Sequence, residues 1–219
     1  MTVTGVAERV WGAALPGGSE ALTRARELFR PITPAPDVLF TSLANVNLVL
    51  HPPGAILAAA WVEATRGAFS FYVEGMTPGV AWVLEALDRE RLAVGRALGH
   101  NLPPLTEEMA AIGTADRAAA ARGDLAGAIR SGAANASIMA PGSLVHRYYR
   151  REDFGFGLLP FTALAGMSEV FDPVATSLLH LAPLLTGERF EPKGRTSERM
   201  GFDPAHGSRE LLQSVGGAR

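Results

Sequence analysis

Along the chain the apolar positions read first with strand-like and then with helical spacing. Residues 2–15 are rich in Val, Thr and Trp and stop at Pro16-Gly17-Gly18, which predicts one or two short strands closed by a turn. From Ser19, a good N-cap residue, Leu22, Ala25, Arg26 and Phe29 fall on one helical face before Pro31 ends the run. A strand–turn–helix fragment this short cannot bury both of its faces. Residues 1–36 are therefore expected to be the last piece of a larger α/β unit, with Pro31, Pro34 and Pro36 marking a linker.

From residue 37 onward the pattern is helical. Residues 42–65 are strongly apolar and are interrupted only by His51-Pro52-Pro53-Gly54. Each proline ring removes a backbone donor and crowds the preceding turn, so a break is expected there, with a second helix over residues 53–64. Thr77-Pro78 supplies a cap and an N1 proline; Val80, Val83, Leu84, Leu87, Arg91, Val94 and Leu98 follow at helical spacing, and Gly99 is the stop. The opposite face, Glu85, Asp88, Arg89 and Arg96, reads as solvated or subunit-facing. Residues 107–112 and 117–129 are alanine-rich helical candidates. Asp172-Pro173 opens another helix, with Val174, Leu178, Leu181 and Leu185 on one face and Gly187 at its end. Beyond Phe190 the chain is polar, with one short helix expected over residues 196–200. The predicted fold class is mainly α: a multi-helix domain over residues 37–219 behind a short strand–helix segment.

Composition narrows the function classes. The formal net charge is -2, and no Lys/Arg cluster offers an electrostatic footprint for nucleic acid. Cysteine is absent, which excludes disulfides, thiolate zinc sites and a cysteine nucleophile. Residues 1–8 have no basic segment followed by an apolar stretch, and apolar runs such as residues 55–62 are too short to span a bilayer. No membrane association is expected, and a cytoplasmic location is the default.

Two segments carry candidate chemistry. In Asn45-Val46-Asn47-Leu48-Val49-Leu50-His51-Pro52-Pro53, Asn47 and His51 are four apart and share a face of one helical turn. A histidine on an apolar helix just before a break can present its imidazole to a cleft as a general acid or base. A lone histidine of this kind is more often a core residue bonded to a backbone carbonyl, but two neighbouring amides that need partners weigh toward a site. The second segment is His146-Arg147-Tyr148-Tyr149-Arg150-Arg151-Glu152-Asp153. Such runs are usually solvated loops. In a site, one carboxylate would orient a histidine and one guanidinium would clamp a substrate carboxylate. Gly155-Phe156-Gly157-Leu158-Leu159-Pro160 imitates a dinucleotide fingerprint, but Pro160 replaces its third glycine and no clear strand precedes it. Glu63, Glu74, Glu107 and Glu108 do not pair with histidines at zinc-ligand spacing, so no metal site is expected.

Taken in order, several segments resemble the C-terminal helical domain of the octopine/nopaline (opine) dehydrogenase family. They are Asn45-Val46-Asn47 running into His51-Pro52-Pro53-Gly54, then Tyr72-Val73-Glu74-Gly75, Thr77-Pro78 and Leu87-Asp88-Arg89-Glu90-Arg91. Ala140-Pro141, His146-Arg147-Tyr148, Glu152-Asp153 and Gly157-Leu158-Leu159-Pro160 complete the series, and the resemblance covers roughly residues 37–202. The segment through Ala13-Ala14-Leu15-Pro16 resembles the tail of that family's Rossmann domain, whose glycine-rich turn is not found here.

The resemblance implies reductive condensation of an α-keto acid with an amino acid, with NAD or NADP as the hydride source. It implies a catalytic pair, His51 and Asp153, with Asn47 one turn before the histidine. Asp153 would fix the tautomer of His51 and stabilise its imidazolium. An arginine five residues before the aspartate is implied as the keto-acid ligand, but that position is Tyr148 here. Arg147 takes the role if one residue is inserted in Tyr149-Arg150-Arg151, and Arg147 and Tyr148 are both substrate-binding candidates. Phe154-Gly155 also replaces the family's Val-Pro. With the nucleotide-binding half absent, the chain is expected to be truncated or to need a Rossmann-domain partner or a homodimer. Alone it is expected to show negligible NAD(P)H binding and turnover. A non-catalytic dimerisation or ligand-binding remnant, and a related 2-hydroxy-acid or ketopantoate-type dehydrogenase domain, are the alternatives.

Overall fold

A computed structural model describes residues 6–150 and 152–215; the strand expected from residue 2 thus has its first four residues outside the described ones. Strand β1 (Val10–Gly12) pairs in parallel with β2 (Ile32–Pro34), with Val10 opposite Ile32, and helix α1 (Ser19–Leu28) connects them. The expected linker at Pro31, Pro34 and Pro36 therefore contains a strand. Pro34 is tolerated because it ends that strand, and the ladder is continued by Ala35 N–H donating to the Gly12 carbonyl at 2.8 Å. No residue of α1 is buried. The β1–α1–β2 unit leans on the helical body through Trp11, edge-on to Phe40 at 5.0 Å, and through Arg9, paired with Glu108 at 2.6 Å.

The helical body begins with α2 (Val38–Leu43), capped by the Asp37 carboxylate, which accepts from the Leu39 and Phe40 amides. Then follow α3 (Asn47–Leu57) and α4 (Ala59–Thr65), with a 60° turn at Ala58. The break expected at Pro52-Pro53 is not there: α3 runs through both prolines and stops after Leu57. Every residue from Leu48 to Ile56 is buried, so packing on all sides holds a helical path that the two missing donors only weaken. The long helix α5 (Pro78–Ala97) starts as the sequence predicts, with the Thr77 hydroxyl accepting from the Val80 amide, and lies against α3.

Asp88, expected on the solvated face of α5, is buried. Its carboxylate accepts from Arg91 Nε at 2.7 Å and from the Leu105 amide at 2.9 Å. Arg91 in turn donates to the Leu43 and Pro103 carbonyls, tying α5 to α2 and to the start of α6 (Leu105–Ile112). The single helix expected over residues 117–129 is two, α7 (Arg117–Ala121) and α8 (Leu125–Arg130). Gly123 turns the chain at φ +72°, and Asp124 caps α8 through the Gly127 amide.

The site-bearing half contains α9 (Arg147–Arg150), a single π-helical turn (Phe154–Leu158), α10 (Leu159–Met167) and α11 (Pro173–Thr186). In α11 the buried stripe is Ala175, Leu178 and Ala182, while Leu181 and Leu185 are exposed. The expected face is rotated because the alanines sit against the body, where α11 meets α3 and α5. Residues 196–200 form a turn closed at Gly201, too short to propagate as a helix. An unpredicted helix, α12 (Gly207–Ser214), packs instead through Leu211.

One close approach positions the site. Gly67 has φ +74°, and a Cβ there would meet the Ala140 carbonyl oxygen at 2.7 Å and crowd that of Pro141. With Ala140 N–H donating to the Phe69 carbonyl and Phe71 N–H to that of Ile138, this lays residues 67–71 along residues 138–141. Both segments then run on to aromatic residues that meet over α3. Among the described residues no single helix is long and apolar enough to cross a membrane.

Candidate active site

His51 lies in α3 immediately before Pro52, only 5% exposed, and its two ring nitrogens are engaged on opposite sides. Nδ1 lies 2.6 Å from Asp153 Oδ2, and Nε2 lies 2.6 Å from Tyr72 Oη. An ionised carboxylate can only accept, so Nδ1 carries the hydrogen toward Asp153. The neutral ring then presents its Nε2 lone pair to Tyr72, whose hydroxyl donates. Asp153 thus does what a carboxylate behind a histidine does elsewhere: it selects the tautomer and fixes the ring's orientation.

Asp153 is placed by the π-helical turn, where the Leu158 amide donates to the Asp153 carbonyl at 2.7 Å. Gly157 lies beside it: a Cβ there would stand at an ordinary contact distance, 3.6 Å, from the Asp153 Cβ and the Leu48 Cδ1. The glycine pair that imitates a fingerprint lies in this π-helical turn. Gly155 lies against Gly194 and Phe190, and its carbonyl accepts from the Arg195 amide.

The faces of His51 are closed by aromatic rings. Tyr148 stacks on it with centroids 4.4 Å apart, and Phe71 approaches edge-on at 6.3 Å. Helix α9 is fixed over α3 by the Tyr149 hydroxyl, which donates to the Ala55 carbonyl at 2.9 Å. Burial pushes the hydroxyls of Tyr72, Tyr148 and Tyr149 above the ordinary tyrosine value of 10.0, most strongly at Tyr72, where Tyr148 and the carboxylates of Asp153 and Glu152 add to it.

The structure thus brings His51, Asp153 and Tyr148 together. Arg147 is exposed, with its guanidinium 5.3 Å above the outer face of the Tyr148 ring and paired with Glu152 at 2.6 Å. The insertion that would align it involves Arg151, outside the described residues. Asn47 opens α3 one turn before His51, exposed, and its side chain has no hydrogen-bond partner among the described residues. Tyr72 is the residue that the reading of the sequence missed. It sits in the Tyr-Val-Glu-Gly segment already quoted, but no spacing connects a hydroxyl 21 positions away to His51.

His51, Glu152 and Asp153 each offer a ligand atom within 4.8 Å of the others. Both nitrogens of His51 are already hydrogen-bonded, so a cation would have to displace Asp153 or Tyr72 from the ring. On the far side of Leu48 and Gly157 lies a mainly apolar cavity of about 800 Å³, with Asn45, Arg195 and Ser214 among its polar lining. It is lined by the helical body and reaches Leu15, in the turn between β1 and α1.

Residues 34–186 match the family described as NAD/NADP octopine/nopaline dehydrogenase, alpha-helical domain. The chain is also 33% identical, over 166 residues, to an opine dehydrogenase of Arthrobacter sp. (strain 1C). That alignment covers 76% of this chain and 44% of the relative, so the chain spans less than half of the protein it matches. Asn47, His51, Tyr72, Tyr148 and Asp153 all fall inside the matched residues.

Proposed function

Because the chain belongs to the NAD/NADP octopine/nopaline dehydrogenase family, we propose that it is the substrate-binding and catalytic domain of an opine-type dehydrogenase. The reaction is the reductive condensation of an α-keto acid with the amine of an amino acid. The observation that carries this reading is the buried His51–Asp153 pair at 2.6 Å, brought together from helix α3 and from the start of the π-helical turn, 102 positions apart. A charge-bearing pair excluded from water costs several kcal/mol unless its partners are in place, and here they are.

His51 moves a proton at the heteroatom of the reacting carbon, and Asp153 stabilises the imidazolium while the proton is held. Arg147 and Tyr148 are the candidates for the substrate carboxylate: the guanidinium stands over the ring that covers His51, and it is free to exchange Glu152 for a substrate. Asn47 offers its amide from the exposed first turn of the same helix.

The described residues do not fit a dinucleotide's phosphates. Among these 219 residues there is no G-x-G-x-x-G turn, and the nearest imitation, Gly155-Phe156-Gly157, is packed against Gly194 and Phe190. The proposal therefore assigns the nicotinamide, which supplies hydride in this class of reaction, to a nucleotide-binding fold beyond these residues. The open parallel pair β1–β2 belongs to that unit, and residues 37–219 form the helical domain. The test joins this chain to a Rossmann nucleotide-binding domain and assays products from a keto acid, an amino acid and NADH. A secondary amine formed only when both substrates are present is expected. Reduction of the keto acid alone to a hydroxy acid would contradict the condensation.

A further inference from the structure

We infer that Tyr72 is the group through which His51 passes its proton to the substrate, so that the working unit is a chain Asp153–His51–Tyr72. This rests on the dehydrogenase reading above. Nδ1 is committed to Asp153, and Nε2, the remaining route, ends on Tyr72 Oη at 2.6 Å. Tyr148 covers one face of the ring and Phe71 its edge, and the whole side chain is buried. A substrate atom reaches Nε2 directly only if Tyr72 leaves.

The local backbone opposes that departure. The turn carrying Tyr72 is tied off by Glu74, whose carboxylate accepts from the Ser70 amide at 2.7 Å and the Ser70 hydroxyl at 2.8 Å. The amides of Glu74 and Gly75 both donate to the Ser70 carbonyl at 3.0 Å. These bonds lower the Glu74 pKa from its ordinary 4.5, so the carboxylate stays ionised and the turn stays closed through the neutral region. Gly75 allows the turn to be this tight, since a Cβ there would meet the Phe71 carbonyl oxygen at 2.5 Å.

The relay balances as follows: the amino-acid ammonium first gives a proton to Tyr72 Oη as Tyr72 gives its own to His51 Nε2, which leaves a free amine to attack the keto carbon and an imidazolium held by Asp153. In the carbinolamine formed from amine and keto acid, the nitrogen lone pair forms C=N as the C–O bond breaks. The departing hydroxyl takes the Tyr72 hydroxyl proton and leaves as water, while Tyr72 Oη takes the proton from the imidazolium Nε2. The ring ends neutral and the tyrosine ends as it began. No phenolate is formed, which suits a hydroxyl whose ionisation is suppressed by burial.

The test uses the chain joined to a Rossmann nucleotide-binding domain, comparing wild type, Tyr72→Phe and His51→Ala. Tyr72→Phe keeps the ring packing and is expected to lower kcat by about 100-fold or more with KM changed by less than about threefold. Wild-type kcat in mixed light and heavy water should show two protons in flight, a readout that a purely structural role would not produce and that needs no variant. In ¹⁵N spectra of the chain itself, Tyr72→Phe should shift the His51 Nε2 resonance and leave the Nδ1–Asp153 bond in place. If Tyr72→Phe retains kcat within about twofold while His51→Ala is inactive, or if wild type shows a single proton in flight, the relay is wrong and the dehydrogenase reading stands. Full activity in His51→Ala would overturn both.

Discussion

His51 and Arg91 are two buried cationic or potentially cationic side chains, and the way each is satisfied separates chemistry from architecture. Arg91 is 1% exposed, and all its partners are fixed parts of the fold: Asp88 and the carbonyls of Leu43 and Pro103. It has nothing left to offer a ligand. Arg91→Met should therefore leave Asp88 buried and unpaired and lower unfolding free energy by about 3–5 kcal/mol in urea titration, with the site's chemistry untouched where the variant is folded. His51 has one nitrogen held by a carboxylate and the other by a hydroxyl, a group that can either give or take a proton. At this scale the sequence was informative where chemistry and spacing coincide. His51 and Asp153 sit in motifs that resemble the family's, and the structure joins them across 102 positions. Tyr72 was not legible, because an isolated tyrosine in a turn carries no sign of which side chain its hydroxyl will meet. Asp88 was misplaced on the solvated face because helical periodicity cannot distinguish a surface carboxylate from one that a buried arginine draws inward.

At the scale of elements, charged residues also serve as caps for neighbouring helices. Glu90 of α5 reaches the start of α11, where its carboxylate accepts from the amides of Val174 at 2.7 Å and Ala175 at 2.9 Å. Burial raises its pKa above the ordinary 4.5, with the Asp172 carboxylate adding to the rise and the two amides opposing it. A carboxyl group with a raised folded-state pKa favours folding most when it is protonated. Its contribution is complete below pH 4.5 and is lost as pH rises through the higher folded value. In Glu90→Gln that pH-dependent contribution disappears. The wild type should thus lose melting temperature relative to the variant as pH rises from acid toward neutral, the two lying closest in acid, where protonated Glu90 resembles glutamine; a constant difference across that range would contradict the assignment. The start of α5 was readable because a Thr-Pro cap is local chemistry. The course of α3 was not, since Pro52 and Pro53 forbid a helix by local rules and only burial from Leu48 to Ile56 overrides them. Likewise α12 is short and polar apart from the few side chains that the body covers.

The whole molecule is a helical body with a small parallel α/β segment leaning on one end, and its general class was visible from hydrophobic periodicity alone. The body buries its His51–Asp153 pair under aromatic rings, while the two-stranded segment buries almost nothing of α1. A sheet of two short strands is not independently stable, and its open edges are the natural place for further strands. We therefore propose that acid–base chemistry lies in this chain and that the nucleotide is held by a fold that continues the β1–β2 sheet. Its central claim is that His51, held by Asp153, is the proton-transferring residue of an opine-type dehydrogenase. The most direct measurement is the rate of NADH oxidation, with keto acid and amino acid present, by this chain joined to a Rossmann nucleotide-binding domain, before and after His51→Ala. The account predicts turnover that falls by about 100- to 10,000-fold in the variant. Undiminished turnover in His51→Ala would contradict it.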